Sequence, residues 1–264
     1  MIRIVQYVQV EVASNTELSP GHWLLDLAVP KPLPDIRAGQ FVTLRCEATG
    51  KHSLMRPFSI LDYDLQASTI SIYYKHLGQL SRRLSEARPG TVLDCLYPLG
   101  QGFPWQQDWP RVALVGGGVG IAPLLLCARL LESISPSISV TGFFGGNTKA
   151  DLVPALLERY AFTMHLATMD GSSGFHGTVV DLYRQRVDSF NVLYACGPNL
   201  MMAELQKHLT ADIPAFASLE EYMACGVGAC LGCVAPIREN DNIVYRTVCK
   251  EGPVFDLRKV VFAT

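Results

Sequence analysis

The first hundred residues are built from short apolar and β-branched runs separated by turns rich in Pro, Gly and Asp. These runs fall at residues 2–12, 22–28, 41–45, 69–74 and 92–96. Short strands at such intervals predict an antiparallel barrel. One helical stretch interrupts them at 81–87 and stops at the Pro89-Gly90 turn. No period continues through the stretch from Gly100 to Pro104 and on to Asp108-Trp109-Pro110, which marks a boundary. Beyond it the pattern changes. The apolar run Val112-Ala113-Leu114-Val115 leads into glycines and a helical stretch at 122–131, followed by segments at 139–144, 153–159 (helical), 163–167, 179–186 and 192–195. Strands alternating with helices predict a parallel sheet with right-handed crossovers. From about residue 216 the period is lost, and Cys and Gly dominate. The expected organisation is a β-barrel at 1–103, an α/β domain at 108–215 and a small C-terminal module at 216–264.

A chain of 264 residues with 49% hydrophobic and 17% charged residues buries a large core, which excludes global disorder. A formal charge of -2 and a pI near 6.3 give no general pull toward nucleic acid or an anionic membrane, so neither is expected as a partner. The first ten residues lack the apolar core and small-residue cleavage site of a signal peptide. The apolar stretch 119–128 contains Gly120 and Pro123 and is too short to span a bilayer. A cytoplasmic protein is expected. In a reducing compartment the eight cysteines point to metal ligation or catalysis rather than disulfides.

Four of those cysteines crowd the tail as Cys225-x4-Cys230-x2-Cys233-x15-Cys249. A Cys-x4-Cys-x2-Cys run with a distant fourth Cys is the plant-type spacing for a [2Fe–2S] cluster. Three thiolates must converge from one short loop, and Gly226, Gly228, Ala229 and Gly232 supply little bulk and easy positive φ. Their amides are placed to bond cluster sulfurs. Structural zinc or inert buried thiols are the alternatives. Zinc sites favour two Cys-x2–4-Cys knuckles, and only one tight pair exists here.

The strand-like Val112 to Val115 opens into Gly116-Gly117-Gly118-Val119-Gly120-Ile121-Ala122-Pro123. Strand, glycine turn and helix form the context in which backbone amides receive phosphate. Ile121 breaks the Gly-x-Gly-x-x-Gly fingerprint, no Walker lysine is present, and Pro123 suits the first turn of a helix. A second turn, Cys196-Gly197-Pro198, again follows a strand and opens a helix. Two such turns at the carboxyl ends of parallel strands mark a ligand crevice. Cys196 has no base beside it, which favours packing or nicotinamide contact over nucleophilic attack. In the barrel, Arg56-Pro57-Phe58-Ser59 offers a phosphate fork, apolar backing and a hydroxyl for a flavin edge. Tyr73-Tyr74-Lys75 offers a flat aromatic surface and a cation, and Gly78, Leu80 and Ser81 open the barrel's helix, a seat for pyrophosphate.

Together these motifs resemble the ferredoxin-reductase-type flavoproteins. Within them, Met223-Ala224-Cys225-Gly226-Val227-Gly228-Ala229-Cys230-Leu231-Gly232-Cys233 and Val248-Cys249-Lys250-Glu251-Gly252-Pro253-Val254-Phe255-Asp256 are similar to the cluster region of the electron-transfer subunits of NAD-dependent dihydroorotate dehydrogenase B. The resemblance implies FAD in the barrel, NAD in the middle domain and a [2Fe–2S] cluster in the tail. It implies FAD contacts from Arg56, Pro57, Phe58, Ser59, Tyr73, Tyr74, Lys75, Gly78, Leu80 and Ser81. It implies NAD contacts from Gly116, Gly117, Gly118, Gly120, Cys196, Gly197 and Pro198. The cluster ligands are then Cys225, Cys230, Cys233 and Cys249.

One departure is local. The family commonly has Gly-x-Gly-Thr where this chain reads Gly78-Gln79-Leu80-Ser81. Ser81 keeps a hydroxyl, whereas Leu80 adds a side chain where backbone approaches phosphate. The implied activity is a relay within pyrimidine biosynthesis. A partner subunit carrying FMN oxidises dihydroorotate to orotate, and electrons pass from FMN through [2Fe–2S] and FAD to NAD⁺. The implied assembly is a heterotetramer with two copies of each subunit, and no catalytic acid or base is expected in this chain. Two alternatives keep the same residues. One is a reductase subunit of an NAD(P)H–ferredoxin or sulfide-linked oxidoreductase, toward which an Asp ligand would have pointed. The other is a redox-sensing or zinc-stabilised interaction module.

Overall fold

The computed structural model describes residues 5–46, 54–186, 190–210 and 213–262. Six strands close an antiparallel barrel: β1 (Gln6–Ser19), β2 (His22–Ala28), β3 (Phe41–Cys46), β4 (Arg56–Asp64), β5 (Thr69–Lys75) and β6 (Val92–Leu99), in the order β1-β2-β5-β4-β3-β6. Alternation decides which way the side chains face. In β6 every second residue, Leu93, Cys95, Tyr97 and Leu99, is buried, as a strand with one wet face requires. The first strand starts at Gln6 and runs on through Ser19, because β2 continues to pair with it as far as Ser19↔His22. Residues 2–4 of the expected first strand lie outside the described residues. Helix α1 (Gln79–Ser85) begins two residues before the expected 81, since the Ser81 hydroxyl accepts the amides of Leu77 and Gly78 and so caps the turn early.

The second sheet has seven strands in the order β10-β9-β8-β7-β11-β12-β15. They are β7 (Arg111–Gly117), β8 (Ser139–Gly146), β9 (Thr163–Thr168), β10 (Phe175–His176), β11 (Val192–Cys196), β12 (Ala215–Ser218) and β15 (Val254–Asp256). All are parallel except β15, which pairs antiparallel with β12. Strand β7 is buried from Val112 to Gly117, as a central parallel strand covered on both faces must be. Helices α2 (Ile121–Ile134), α3 (Pro154–Leu157), α4 (Val179–Arg184) and α5 (Asn199–Lys207) provide the crossovers.

Helix α2 is apolar nearly all round because it packs on β7 and, with its other side, on β4 of the barrel. There the Arg129 guanidinium forms an ion pair with Asp62 at 2.6 Å and lies 4.9 Å from the centre of the Tyr63 ring. Sheet order reverses between β7 and β11, the place where open α/β sheets bind ligands.

The tail carries more regular structure than its sequence suggests. A hairpin of β13 (Val234–Glu239) and β14 (Asn242–Thr247) turns through Asn240 and Asp241, both left-handed, and buries Ala235 and Ile237. Strand β15 then returns to the large sheet. Among the described residues, no helix is long and apolar enough to cross a membrane.

Candidate functional site

A cavity of about 770 Å³ opens where the barrel, the α/β sheet and the tail meet. Every barrel residue singled out from the sequence borders it: Arg56, Pro57, Phe58 and Ser59 from β4, Tyr73, Tyr74 and Lys75 from β5, and Gly78, Leu80 and Ser81 at the start of α1. The local cause is the end of burial along β4. Ile60 and Leu61 are in the core, whereas residues 56–59 lie at its margin. The rings of Tyr73 and Tyr74 are buried, and burial raises both phenols above the ordinary tyrosine range, so they stay neutral. Leu80 packs its side chain on the barrel core while still bordering the cavity.

None of Gly116, Gly117, Gly118, Gly120, Cys196, Gly197 and Pro198 borders the cavity; Val119, within the glycine turn, and Asn199, after the second turn, do. The two turns are packed backbone to backbone. A Cβ on Gly120 would collide with the Cys196 carbonyl and with the Gly197 amide, the latter 2.7 Å away. A Cβ on Gly117 would stand 2.8 Å from the Met201 sulfur. Gly118 differs: its φ is +58° and nothing lies within 4 Å of its Cβ position, so it faces open space. The Cys196 thiol is wholly buried. Burial, with Glu220 nearby, pushes it well above the ordinary cysteine range against a hydrogen bond with Ser218. It is not a thiolate nucleophile.

The tail segment from Ser218 to Met223 forms one wall of the cavity, and Cys225 follows two residues later. The loop from Cys225 to Cys233 curls through left-handed Gly226, Gly228 and Leu231. With Cys249, which follows β14, its thiols stand in two neighbouring pairs, Cys225 with Cys230 and Cys233 with Cys249. The Cys230 amide points at the Cys225 sulfur (3.4 Å), as does the Cys249 amide at the Cys233 sulfur (3.4 Å). Partial burial raises the Cys225 thiol, but the amides of Val227, Cys230 and Ala229 outweigh it and bring the thiol down to about 6. Cys249, raised by burial and by Cys233 to about 12, receives the Gly228 amide. Among the described residues no three His, Cys, Asp or Glu side chains are placed to hold a single metal ion. Four thiols lying in two pairs within a cradle of amides suit a cluster of two irons with two terminal thiolates each.

Sequence reasoning missed three groups. Glu220 is exposed to the cavity, and the protein packed around its carboxyl raises that carboxyl's pKa by desolvation. Tyr222 stands 86% exposed on the same wall. Their position just before the cysteine loop was the available signal. The third is the pair His22 and Asp151, which form a polar cluster with the expected Tyr73 and Lys75. Its members come from three distant segments, and no sequence signal connects them.

Comparison with known proteins bears on the whole chain. Residues 220–261 match the family model for the iron-sulfur cluster binding domain of dihydroorotate dehydrogenase B. The chain is 40% identical over 229 residues to the dihydroorotate dehydrogenase B (NAD(+)) electron transfer subunit of Shouchella clausii, covering 84% of this chain and 86% of that one. It is also 40% identical over 244 residues to the subunit of the same name from a Geobacillus species, covering 91% and 90% of the two chains. A solved structure of NADH-dependent reduced ferredoxin–NADP oxidoreductase, described for flavin-based electron bifurcation, superposes with a TM-score of 0.83 at 25% identity, covering 96% of this chain and 90% of that one. With a ferredoxin-reductase fold and a C-terminal iron-sulfur binding domain that carries four cysteines, this chain belongs to the family of dihydroorotate dehydrogenase B electron transfer subunits.

Proposed function

We propose that this chain takes electrons from a partner subunit that carries FMN and oxidises dihydroorotate to orotate, and delivers them to NAD⁺ through a [2Fe–2S] cluster and FAD. The observation that carries this reading is the continuity of the tail: its residues Ser218 to Met223 wall the cavity, and Cys225 begins the cluster loop. Cys225, Cys230, Cys233 and Cys249 hold the cluster. Flavin, when bound, links two-electron exchange with nicotinamide to one-electron exchange with iron–sulfur.

The residues have distinct tasks. Arg56 offers a fork to phosphate, Phe58 and the two tyrosines give an apolar bed, and Ser59 offers its hydroxyl and backbone to the ring edge. The crevice above the packed Gly116–Gly120 and Cys196-Gly197-Pro198 turns receives NAD, with Gly118, which faces open space, presenting backbone to the ligand. Three functional units, at 1–103, 108–215 and 216–264, divide this work, although the last of them shares β15 with the middle sheet. A cytoplasmic heterotetramer with two copies of each subunit is the assembly this reading implies.

The test is dihydroorotate-dependent reduction of NAD⁺ by the anaerobically co-purified complex, with Cys230→Ser as the variant. Cys230 is exposed, so its loss leaves the core untouched. The expected outcome is turnover in the wild type and at least a hundredfold loss in the variant, whose flavin is still bleached by NADH. A wild-type complex bleached by NADH but inert to dihydroorotate would assign the chain a different electron donor.

A further inference from the structure

One carboxylate ties the two cofactor-binding lobes together. Asp151 lies in the 3-10 turn Lys149–Leu152 that follows β8. Its Oδ2 serves its own turn, accepting from the Thr148 amide (3.2 Å) and hydroxyl (3.3 Å). Its Oδ1 serves the barrel: it accepts from Lys75 Nζ at 2.9 Å and lies 3.5 Å from His22 Nε2. His22 is 2% exposed, its Nδ1 stands 2.6 Å from the Tyr73 hydroxyl, and the two rings are stacked. The tautomer that satisfies both neighbours carries its proton on Nε2, so that Tyr73 donates to Nδ1 and Nε2–H faces Asp151. Tyr73 and Lys75 are two apart on β5, and both border the cavity.

Space around the turn is restricted. A Cβ on Gly146, at the end of β8, would stand 2.9 Å from the Asp151 Cβ, so the turn closes on the strand as tightly as a glycine there permits. The Ser19 hydroxyl adds a bond to the Ala150 carbonyl at 3.1 Å. We propose that Asp151 is a positioning residue that fixes the dinucleotide-binding sheet against the flavin-binding barrel, and thereby the reach between nicotinamide and flavin. The proposal rests on the reading of the cavity and crevice given above. Transfer between two rings held by different lobes falls steeply with misplacement, and a carboxylate whose two oxygens point to different lobes is a directional tie.

Two measurements on the co-purified complex test this. The first is the limiting rate of flavin bleaching by NADH, read separately from half-saturation. In Asp151→Asn the limiting rate falls about tenfold, while FAD content and half-saturating NADH stay within about twofold. The second is amide hydrogen exchange without nucleotide. In Asp151→Asn, and in Lys75→Gln, which leaves the Thr148 bonds in place, exchange accelerates both at 148–153 and in the barrel at 19–23. An unchanged limiting rate, a loss expressed as weaker binding, or acceleration confined to 148–153 overturns the proposal. A wild type that NADH does not bleach would instead refute the reading of the site, and the exchange measurement would still decide whether Asp151 ties the lobes.

Discussion

Gly118 and Gly120 lie in one turn and answer to different constraints. Gly120 has no room for a side chain, because the Cys196-Gly197 backbone occupies that position. Gly118 has room but holds a left-handed backbone. Gly120→Ala therefore costs about 2–4 kcal/mol through forced separation of the two turns. Gly118→Ala costs only the left-handed penalty of about 1 kcal/mol. Urea unfolding of the two variants checks this, and equal losses would contradict the packing argument. From sequence alone both glycines read as phosphate contacts, because a glycine required by a neighbouring turn and one required by a ligand look identical until the neighbour is located. The cysteines were legible for the opposite reason: their spacing already encodes a loop that must curl around something.

The elements differ in how plainly the sequence marks them, and burial explains the difference. Strand β6 alternates cleanly and β7 is continuously apolar, so both announce their environments. The β13–β14 hairpin does not. Pro236 interrupts its first strand, and Asn242, Ile243 and Tyr245 are exposed on its second. The Asn240-Asp241 turn was its one readable signal. The contact between β2, β5 and the turn after β8 was invisible, since His22 and Asp151 are far apart in sequence.

That contact has a pH signature. Burial, followed by the charge of Lys75, lowers the His22 pKa below its ordinary 6.5, with Asp151 opposing both. Above pH 6.5 folded and unfolded chains both carry a neutral imidazole there. As pH falls below 6.5 the unfolded chain takes up a proton that the folded chain resists, so stability declines. Asp151 is lowered chiefly by its bond from Lys75, and its contribution is lost only below about 3.8. The thermal midpoint should therefore drop between pH 7.5 and pH 5.5, and His22→Gln should flatten part of that drop. His165, also lowered by burial and by Arg186, accounts for another part. A slope unchanged in His22→Gln would remove His22 from the account.

At the scale of the molecule, the order of the parts was legible because each has its own pattern, but their meeting point was not. Pattern shows that a strand has a buried face and does not show which other domain's residues share its border. The sequence predicts a separate C-terminal module at 216–264, yet β15 pairs with β12 through Ser218↔Val254, Ala217↔Phe255 and Phe216↔Asp256. The Leu219 amide bonds the Pro253 carbonyl (2.9 Å), and Gln206 holds the carbonyls of Leu257 and Val260. The cysteine-bearing excursion thus leaves and re-enters the same sheet at adjacent strands, and Gln101 pins its Gly252 end to the barrel rim (2.6 Å). A carrier moored at both ends cannot act as a swinging arm. Electron exchange between cluster and flavin should then proceed without diffusion of one part past another, and thickening the solvent with sucrose should leave its rate unaltered, where a tethered shuttle would slow in proportion to viscosity.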